Sequence, residues 1–387
     1  ALSNVRRAMS GRGPQEMRRL QRHGVPARAL VSRAGALCMC VATALVSCSC
    51  FTGLSRSFPG RTSAPPSRLA LRGVATADAA RITIEEEAPF FPDALAEIEE
   101  PAAQDLATRY RLSELTLPSE VAEAPVKTSY VGPSQEVLDK AGDHPPLVLL
   151  HGFDSSAMEF RRLLPELEKA GVATYLVDIL GWGFSETEGV QDFSPSAKRA
   201  HLYSFWQQVL GGRPMIMGGA SLGGGIAMDF ATTYPEAVQK LVLLDAQGFI
   251  DGAPKLGPLG WLGIKVLSSW PLRSMANQMA YYDKERYATD DAIRVGRLHV
   301  DVDGWEEASL DFMNSGGYTL SPLVSQVQVP TLLLWGEQDE ILDGGEQVPR
   351  FEKELNGPVR MKWISECGHC PHLEQPQRAA ELIAEFV

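Results

Sequence analysis

Pro214-Met215-Ile216-Met217-Gly218-Gly219-Ala220-Ser221-Leu222-Gly223-Gly224-Gly225 is the stretch that decides how this chain folds. A short apolar run enters a Gly-x-Ser-x-Gly turn, and a helix-compatible run follows as far as Tyr234-Pro235. A serine between two glycines at a strand-to-helix junction predicts a tight turn in which Ser221 takes a strained backbone conformation that only very small neighbours tolerate. The strain lifts the Ser221 hydroxyl out of the sheet. It also aims the amide of Leu222, at the start of the helix, toward the place where an oxyanion would form. The five letters alone are common in ordinary loops, so their surroundings decide their meaning.

Three further motifs fall in the order such a serine needs. Pro146-Leu147-Val148-Leu149-Leu150 reads as a buried parallel strand running into His151-Gly152-Phe153-Asp154. Pro330-Thr331-Leu332-Leu333-Leu334-Trp335 is a second, ending in Gly336-Glu337-Gln338-Asp339-Glu340. Val359-Arg360-Met361-Lys362-Trp363-Ile364 leads into Ser365-Glu366-Cys367-Gly368-His369-Cys370-Pro371-His372. Serine, then acid, then histidine, each just after an apolar strand, is the order of α/β-hydrolases and differs from that of chymotrypsin-like and subtilisin-like proteases. From about residue 126 to 387, roughly two thirds of its length, the chain resembles an α/β-hydrolase. That resemblance implies an α/β fold with a doubly wound, mostly parallel sheet and an inserted helical cap. In its generic motifs the chain is also similar to plastid esterases of the chlorophyll dephytylase and pheophytinase kind.

The resemblance makes Ser221 the nucleophile, Asp339 the orienting acid and His369 the base, with the backbone amides of Phe153 and Leu222 as oxyanion donors. Two of these assignments have rivals. His372 competes with His369, and some plastid pheophytinases carry Cys and His at these two places. Gly368-His369 directly after the strand favours His369, since His372 falls in the first turn of the next helix beside Glu374. Asp245 occupies the alternative acid position after the sixth strand, whereas Asp339 fits Gly-x-x-Asp. Asp178, in Asp178-Ile179-Leu180-Gly181-Trp182-Gly183-Phe184-Ser185, matches the family's D-x-x-G-x-G-x-S turn and is expected to hydrogen-bond within it. Cys367-Gly368-His369-Cys370 spells a redox motif, but such a motif needs a thioredoxin-like unit with the first cysteine at a helix N-terminus, and Pro371 argues against one.

With 387 residues, 44% of them hydrophobic, the chain can bury one large domain of about 250 residues plus extensions. The net charge of -12 hides an asymmetry. Residues 1–77 hold twelve Arg, no Lys and one acid, Glu16, for a charge of +11, which leaves -23 on the rest. That remainder is a poor match for nucleic acid or an anionic membrane by long-range attraction, and no nucleic-acid partner is expected. The Arg-rich, acid-poor leader reads as a targeting segment, with plastid (chloroplast) the favoured destination, thylakoid association included, and mitochondrion the alternative. Within it Ala34 to Ser55 carries no charge, long enough for membrane contact if the segment is retained after import. Four of the six cysteines lie in this leader, so the remaining Cys367 and Cys370 form no disulfide framework.

Residues 78–125 are acidic and rich in Pro and Ala, and read as a solvated linker with one short helix near Ala103 to Leu112. The domain is then expected to begin with an edge strand, Val126 to Val131, and to carry its cap at about 252–322. The cap segment is biased to Trp, Tyr, Leu and Met. Roughly two thirds of these side chains are expected in the cap's own core and the remainder over Ser221. An apolar small-molecule ester is therefore the expected substrate, with no cofactor and no metal assigned. A receptor or scaffold that keeps the fold without chemistry, or a lyase or haloperoxidase reusing the same residues, is the alternative. Epoxide hydrolases and haloalkane dehalogenases place Asp where Ser221 stands, which disfavours them. Labelling by a fluorophosphonate probe, which needs an activated serine, separates catalysis from a scaffold role.

Overall fold

A computed structural model describes residues 91–387 apart from Pro258 and Leu259. The leader, its uncharged stretch 34–55 and linker residues 78–90 lie outside the described residues. Eight strands form one sheet: β1 (Tyr110–Leu115), β2 (Val126–Val131), β3 (Leu147–Leu150), β4 (Thr174–Val177), β5 (Met215–Ala220), β6 (Val238–Leu244), β7 (Thr331–Gly336) and β8 (Val359–Ile364). Their order is β1-β2-β4-β3-β5-β6-β7-β8. The first two pairings, β1 with β2 and β2 with β4, are antiparallel, and the six strands from β4 to β8 run parallel. The chain steps outward from β3 to β4 and then returns to β5, so the strand order reverses between β3 and β5. A crevice opens at such a reversal, beyond the carboxyl ends of the strands.

Parallel strands covered on both faces need apolar residues at every position, and alternate residues here serve opposite layers. Val148, Leu150, Met217, Leu241, Leu243 and Leu333 join the layer that holds the elbow helix Leu222–Thr233 and the helix Pro195–Gln208. Leu147, Leu149, Ile216, Val242, Leu244 and Leu332 join the other, against the helices Leu163–Lys169 and Pro376–Ala384. Near-continuous runs such as Leu147 to Leu150 follow from this double burial.

The expected boundary at 125 is corrected by the structure. Tyr110–Leu115 pairs along its whole length with β2, so β1 is the edge strand and Val126–Val131 is interior. The helix Pro101–Ala107 buries Ala103 and Leu106, and Ile98 and Leu115 are fully covered. The acidic residues that gave this stretch its solvated look are partly engaged. Glu100 binds Arg161 at 2.8 Å and Arg162 at 2.6 Å, and its own amide donates to Asp291 at 2.7 Å. Composition missed this because the apolar residues here are interleaved with Glu, Asp and Pro, which read as solvated.

A chain beginning at Val126 loses β1, Ile98, Leu106 and Leu115, each apolar side chain worth about 1.5–3 kcal/mol when fully buried. Such a chain is expected to show no cooperative urea transition, while one beginning at Phe91 keeps it. Circular dichroism across a urea series measures both.

Candidate active site

Ser221 ends β5 with φ 51° and ψ -120°, a conformation disfavoured for any residue with a side chain. Its neighbours show why they are glycines. A Cβ on Gly219 would lie 2.6 Å from the Leu150 carbonyl oxygen, and one on Gly223 would lie 2.1 Å from the same atom. The turn therefore packs backbone to backbone against the end of β3. Ser221 donates its amide to Leu244 at 3.0 Å and accepts from Gln247 at 2.9 Å, which ties the turn to β6 as well.

His369 and Asp339 are brought together: Nδ1 lies 2.7 Å from Asp339 Oδ2. The other oxygen of Asp339 accepts from the amides of Ile341 and Leu342, at 2.7 and 2.9 Å, so the carboxylate is fixed before it meets the ring. Burial favours the neutral imidazole, but the Asp339 charge and hydrogen bond outweigh it and raise the His369 pKa above the ordinary histidine value. Asp245 lies in the same group; one ligand atom each of Asp245, Asp339 and His369 fall within 4.8 Å of one another. Its Oδ1 accepts the Gly336 amide at 2.9 Å while its buried Oδ2 meets no donor. Burial and the neighbouring Asp339 carboxylate push the Asp245 pKa well above the usual carboxylate range. With His369 Nδ1 already on Asp339, this donor set is an acid–base group rather than an open metal cradle.

The opposite wall is the loop after β3. The buried His151 accepts the Ile179 amide on Nε2 at 3.1 Å, so its Nδ1–H donates to the Gly152 carbonyl at 2.9 Å. Burial lowers the His151 pKa to about 4, which keeps the ring neutral. Among the described residues no acceptor engages the amides of Phe153 and Leu222. The Gly152 amide donates to Glu159 Oε2 at 3.1 Å, and His372 Nε2 lies 3.1 Å from the other oxygen of that carboxylate. Burial would raise the Glu159 pKa, but the bond and charge of His372 outweigh it and hold it at about 2. The second histidine thus stands behind the loop that carries Gly152 and Phe153, on the far side of Glu159. Asp178 accepts from Ala157, Phe184 and Ser129 at 2.7, 3.0 and 2.6 Å, inside the turn where its motif put it. Cys367 and Cys370 are free thiols, and burial pushes both pKa values up, away from thiolate chemistry.

The family model described as "Serine aminopeptidase, S33" matches residues 144–376. The chain belongs to this family of α/β-hydrolases. The alpha/beta hydrolase domain-containing protein VTE7 of Arabidopsis thaliana is 37% identical over 301 residues, 77% of this chain and 89% of that protein. Lipase 1 of Psychrobacter immobilis is 27% identical over 62% of this chain and 76% of its own. A solved thermophilic esterase from Thermogutta terrifontis shares the fold with a TM-score of 0.57 at 18% identity, over 71% of this chain and 97% of the esterase.

Sequence reading missed how this hydrolase holds its cap. Asp154, next to Phe153 and at φ 50°, is buried and engaged by three cap residues. Arg273 forms an ion pair with its carboxylate, His299 Nε2 lies 3.0 Å away, and Trp305 Nε1 donates at 2.8 Å. At the other end Glu374 accepts the amides of Tyr282 and Asp283, at 2.9 and 3.0 Å, and of Gly368 at 2.5 Å. These partners lie some hundred residues apart in the chain, and no local spacing announces them. The expected cap core is also corrected. Ile264, Tyr281, Phe312 and Tyr318 are buried, whereas Trp261, Leu262, Val266, Trp270, Met275 and Tyr282 are exposed, because the first two cap helices pack on one side only. Phe312 continues inward through Trp182 to Phe153, with ring centroids 4.9 and 5.3 Å apart, which makes an aromatic wall beside the loop after β3.

Removing one partner of a buried charged group typically costs about 3–5 kcal/mol. Asp154→Ala is expected to lower the unfolding free energy by about that amount, because Arg273 and Trp305 are left without their acceptor. Equilibrium urea unfolding monitored by tryptophan fluorescence measures it.

Proposed function

We propose that this hydrolase cleaves carboxylic esters with an apolar acyl or alcohol part, using Ser221 as nucleophile, His369 as base and Asp339 as the orienting acid. The observation that carries the reading is the 2.7 Å hydrogen bond from His369 Nδ1 to a fixed Asp339 carboxylate, at the same end of the sheet as the strained Ser221. That bond leaves Nε2 as the imidazole's free basic nitrogen. Ser221 Oγ attacks the ester carbonyl and passes its proton to His369 Nε2. The amides of Phe153 and Leu222 receive the oxyanion. Collapse of the adduct expels the alcohol, which takes the proton back, and water repeats the sequence to release the acid. The charge on Asp339 stabilises the imidazolium formed between the two transfers.

The aromatic wall of Phe153, Trp182 and Phe312 supports an apolar substrate, as does the likeness to a lipase and to an esterase. Residues 1–77 belong to this proposal as a plastid leader, supported by their Arg-rich composition and by the plant relative.

Ser221→Ala is expected to fold and to lose p-nitrophenyl ester turnover by on the order of 10³-fold or more, since nothing replaces the nucleophile. His369→Ala should match it, and His372→Ala should cost far less. A fluorophosphonate probe should label the wild type and not Ser221→Ala, and octanoate esters should be preferred to acetate esters. More than a tenth of wild-type activity in Ser221→Ala, a ratio well above the residue expected of a lost nucleophile, refutes the assignment.

A pH profile tests the base separately. His369 must be neutral to accept a proton, so kcat/KM should rise with pH through its pKa, with the acid limb centred above the ordinary histidine value. Asp339→Asn removes the interaction that raises it. In that variant the limb should move to lower pH while the plateau falls, as stopped assays across pH would show.

A further inference from the structure

Among the described residues, six of the seven exposed large hydrophobic side chains lie between 261 and 282, with Trp363 the exception. Single exposed apolar residues scattered over a surface need no explanation, but this concentration does. Trp261, Leu262 and Val266 come from the helix Gly260–Leu267 and are 42, 44 and 39% exposed. Trp270 and Met275, 37 and 43% exposed, come from the next helix, Trp270–Ala280, which buries none of its residues.

That second helix is nevertheless tied to both walls of the site. Arg273 near its start holds Asp154 beside the oxyanion loop, and the carbonyl of Ala280 at its end accepts the amide of His369 at 2.8 Å. Eleven residues span about 16 Å, so the helix lies as a bar between the oxyanion loop and the histidine loop. A partner seated on its outer side meets the rim of the site.

Charge narrows the partner. Residues 252–282 contain no Asp or Glu, in a chain with 48 acidic and 36 basic residues, and of their three cations Lys255 and Lys265 are exposed while Arg273 is taken up by Asp154. Both exposed tryptophans of these helices have a cation beside them: Lys265 Nζ is 5.2 Å from the Trp261 ring, and the Arg297 guanidinium is 6.0 Å from that of Trp270. Tryptophan with leucine, valine and methionine, fringed by Lys and Arg with no acid in the window 252–282, is the composition of a surface that sits at the headgroup level of a bilayer. The ring and aliphatic groups enter the acyl boundary while the cations meet phosphate.

We infer that the 260–282 face docks on a lipid bilayer bearing anionic headgroups, with the helix Trp270–Ala280 lying along the membrane at the rim of the site. The inference rests on the ester-hydrolase reading for its purpose, the capture of an apolar ester held in the membrane. Its physical basis, an apolar face with complementary charge, is independent of turnover.

The test uses the full chain and extruded vesicles, either phosphatidylcholine alone or an equal mixture with phosphatidylglycerol. Co-sedimentation with the mixed vesicles should weaken by on the order of tenfold in the triple variant Trp261→Ser, Leu262→Ser, Trp270→Ser. Lys265→Glu should weaken binding to the mixed vesicles more than to phosphatidylcholine. Hydrogen exchange should slow in peptides covering 260–282 when vesicles are added, which separates this face from any membrane contact elsewhere in the chain. Turnover of p-nitrophenyl acetate reports whether the triple variant is folded; should it fail, Lys265→Glu and the exchange pattern decide. Ser221→Ala should bind vesicles as the wild type does, so loss of the catalytic reading and loss of the docking reading give different results. Unchanged vesicle binding in both surface variants, or no slowed exchange over 260–282, overturns the inference. So does the same slowing without vesicles as protein concentration rises, which would make a second copy of the chain the occupant.

Discussion

The backbone contact between the Ser221 turn and the end of β3 is the constraint on which the site depends. Gly219 and Gly223 approach the Leu150 carbonyl so closely that any side chain at either position would collide with it. A non-glycine residue at φ 51° persists only where its surroundings over-determine it. Here β3, β5 and β6, covered on both faces, supply that rigidity. Because the contact joins β5 to β3 across the strand reversal, it also fixes the distance between the Ser221 turn and the loop carrying Phe153. The hydroxyl and the two free amides therefore share one frame.

A second constraint is electrostatic. Asp245 and Asp339 stand near one imidazole, and two buried carboxylates so close cannot both ionise. The hydrogen bonds distinguish the two. Asp339 Oδ1 has the Ile341 and Leu342 amides, whereas Asp245 Oδ2 has no donor. Asp339 is the carboxylate in contact with His369, and Asp245 is the one whose pKa burial pushes up.

The cap is held differently from the sheet. Its attachment runs largely through buried carboxylates, Asp154 at one wall and Glu374 at the other, each receiving bonds from cap backbone or cap side chains. Such anchors fix the cap in place without requiring its first two helices to bury an apolar face. Those helices can then leave tryptophan, leucine and methionine on the outside, above the site that Arg273 and Ala280 help to frame.

How much was legible in the sequence follows from the range of each interaction. Strands β3, β5, β6 and β7 could be read because double burial demands an unbroken apolar run, and the Ser221 turn because a strained backbone demands glycine on either side. The meeting of Asp339 with His369 was foreseeable from motif order, since successive parallel strands place their ends side by side. The edge strand β1 was hidden by its polar composition, for an edge strand is wet on one side and needs few apolar residues. The amino-acid sequence by itself determined the sheet, the Ser221 turn and the meeting of Asp339 with His369, through local steric and hydrophobic demands and the order of the strands. Only the tertiary structure decided that Asp154 would gather Arg273, His299 and Trp305, that Asp245 would be buried beside Asp339, and that Trp261, Trp270 and Tyr282 of the cap would face outward. Each of these depends on which distant groups share a desolvated space, and spacing along the chain carries no record of that.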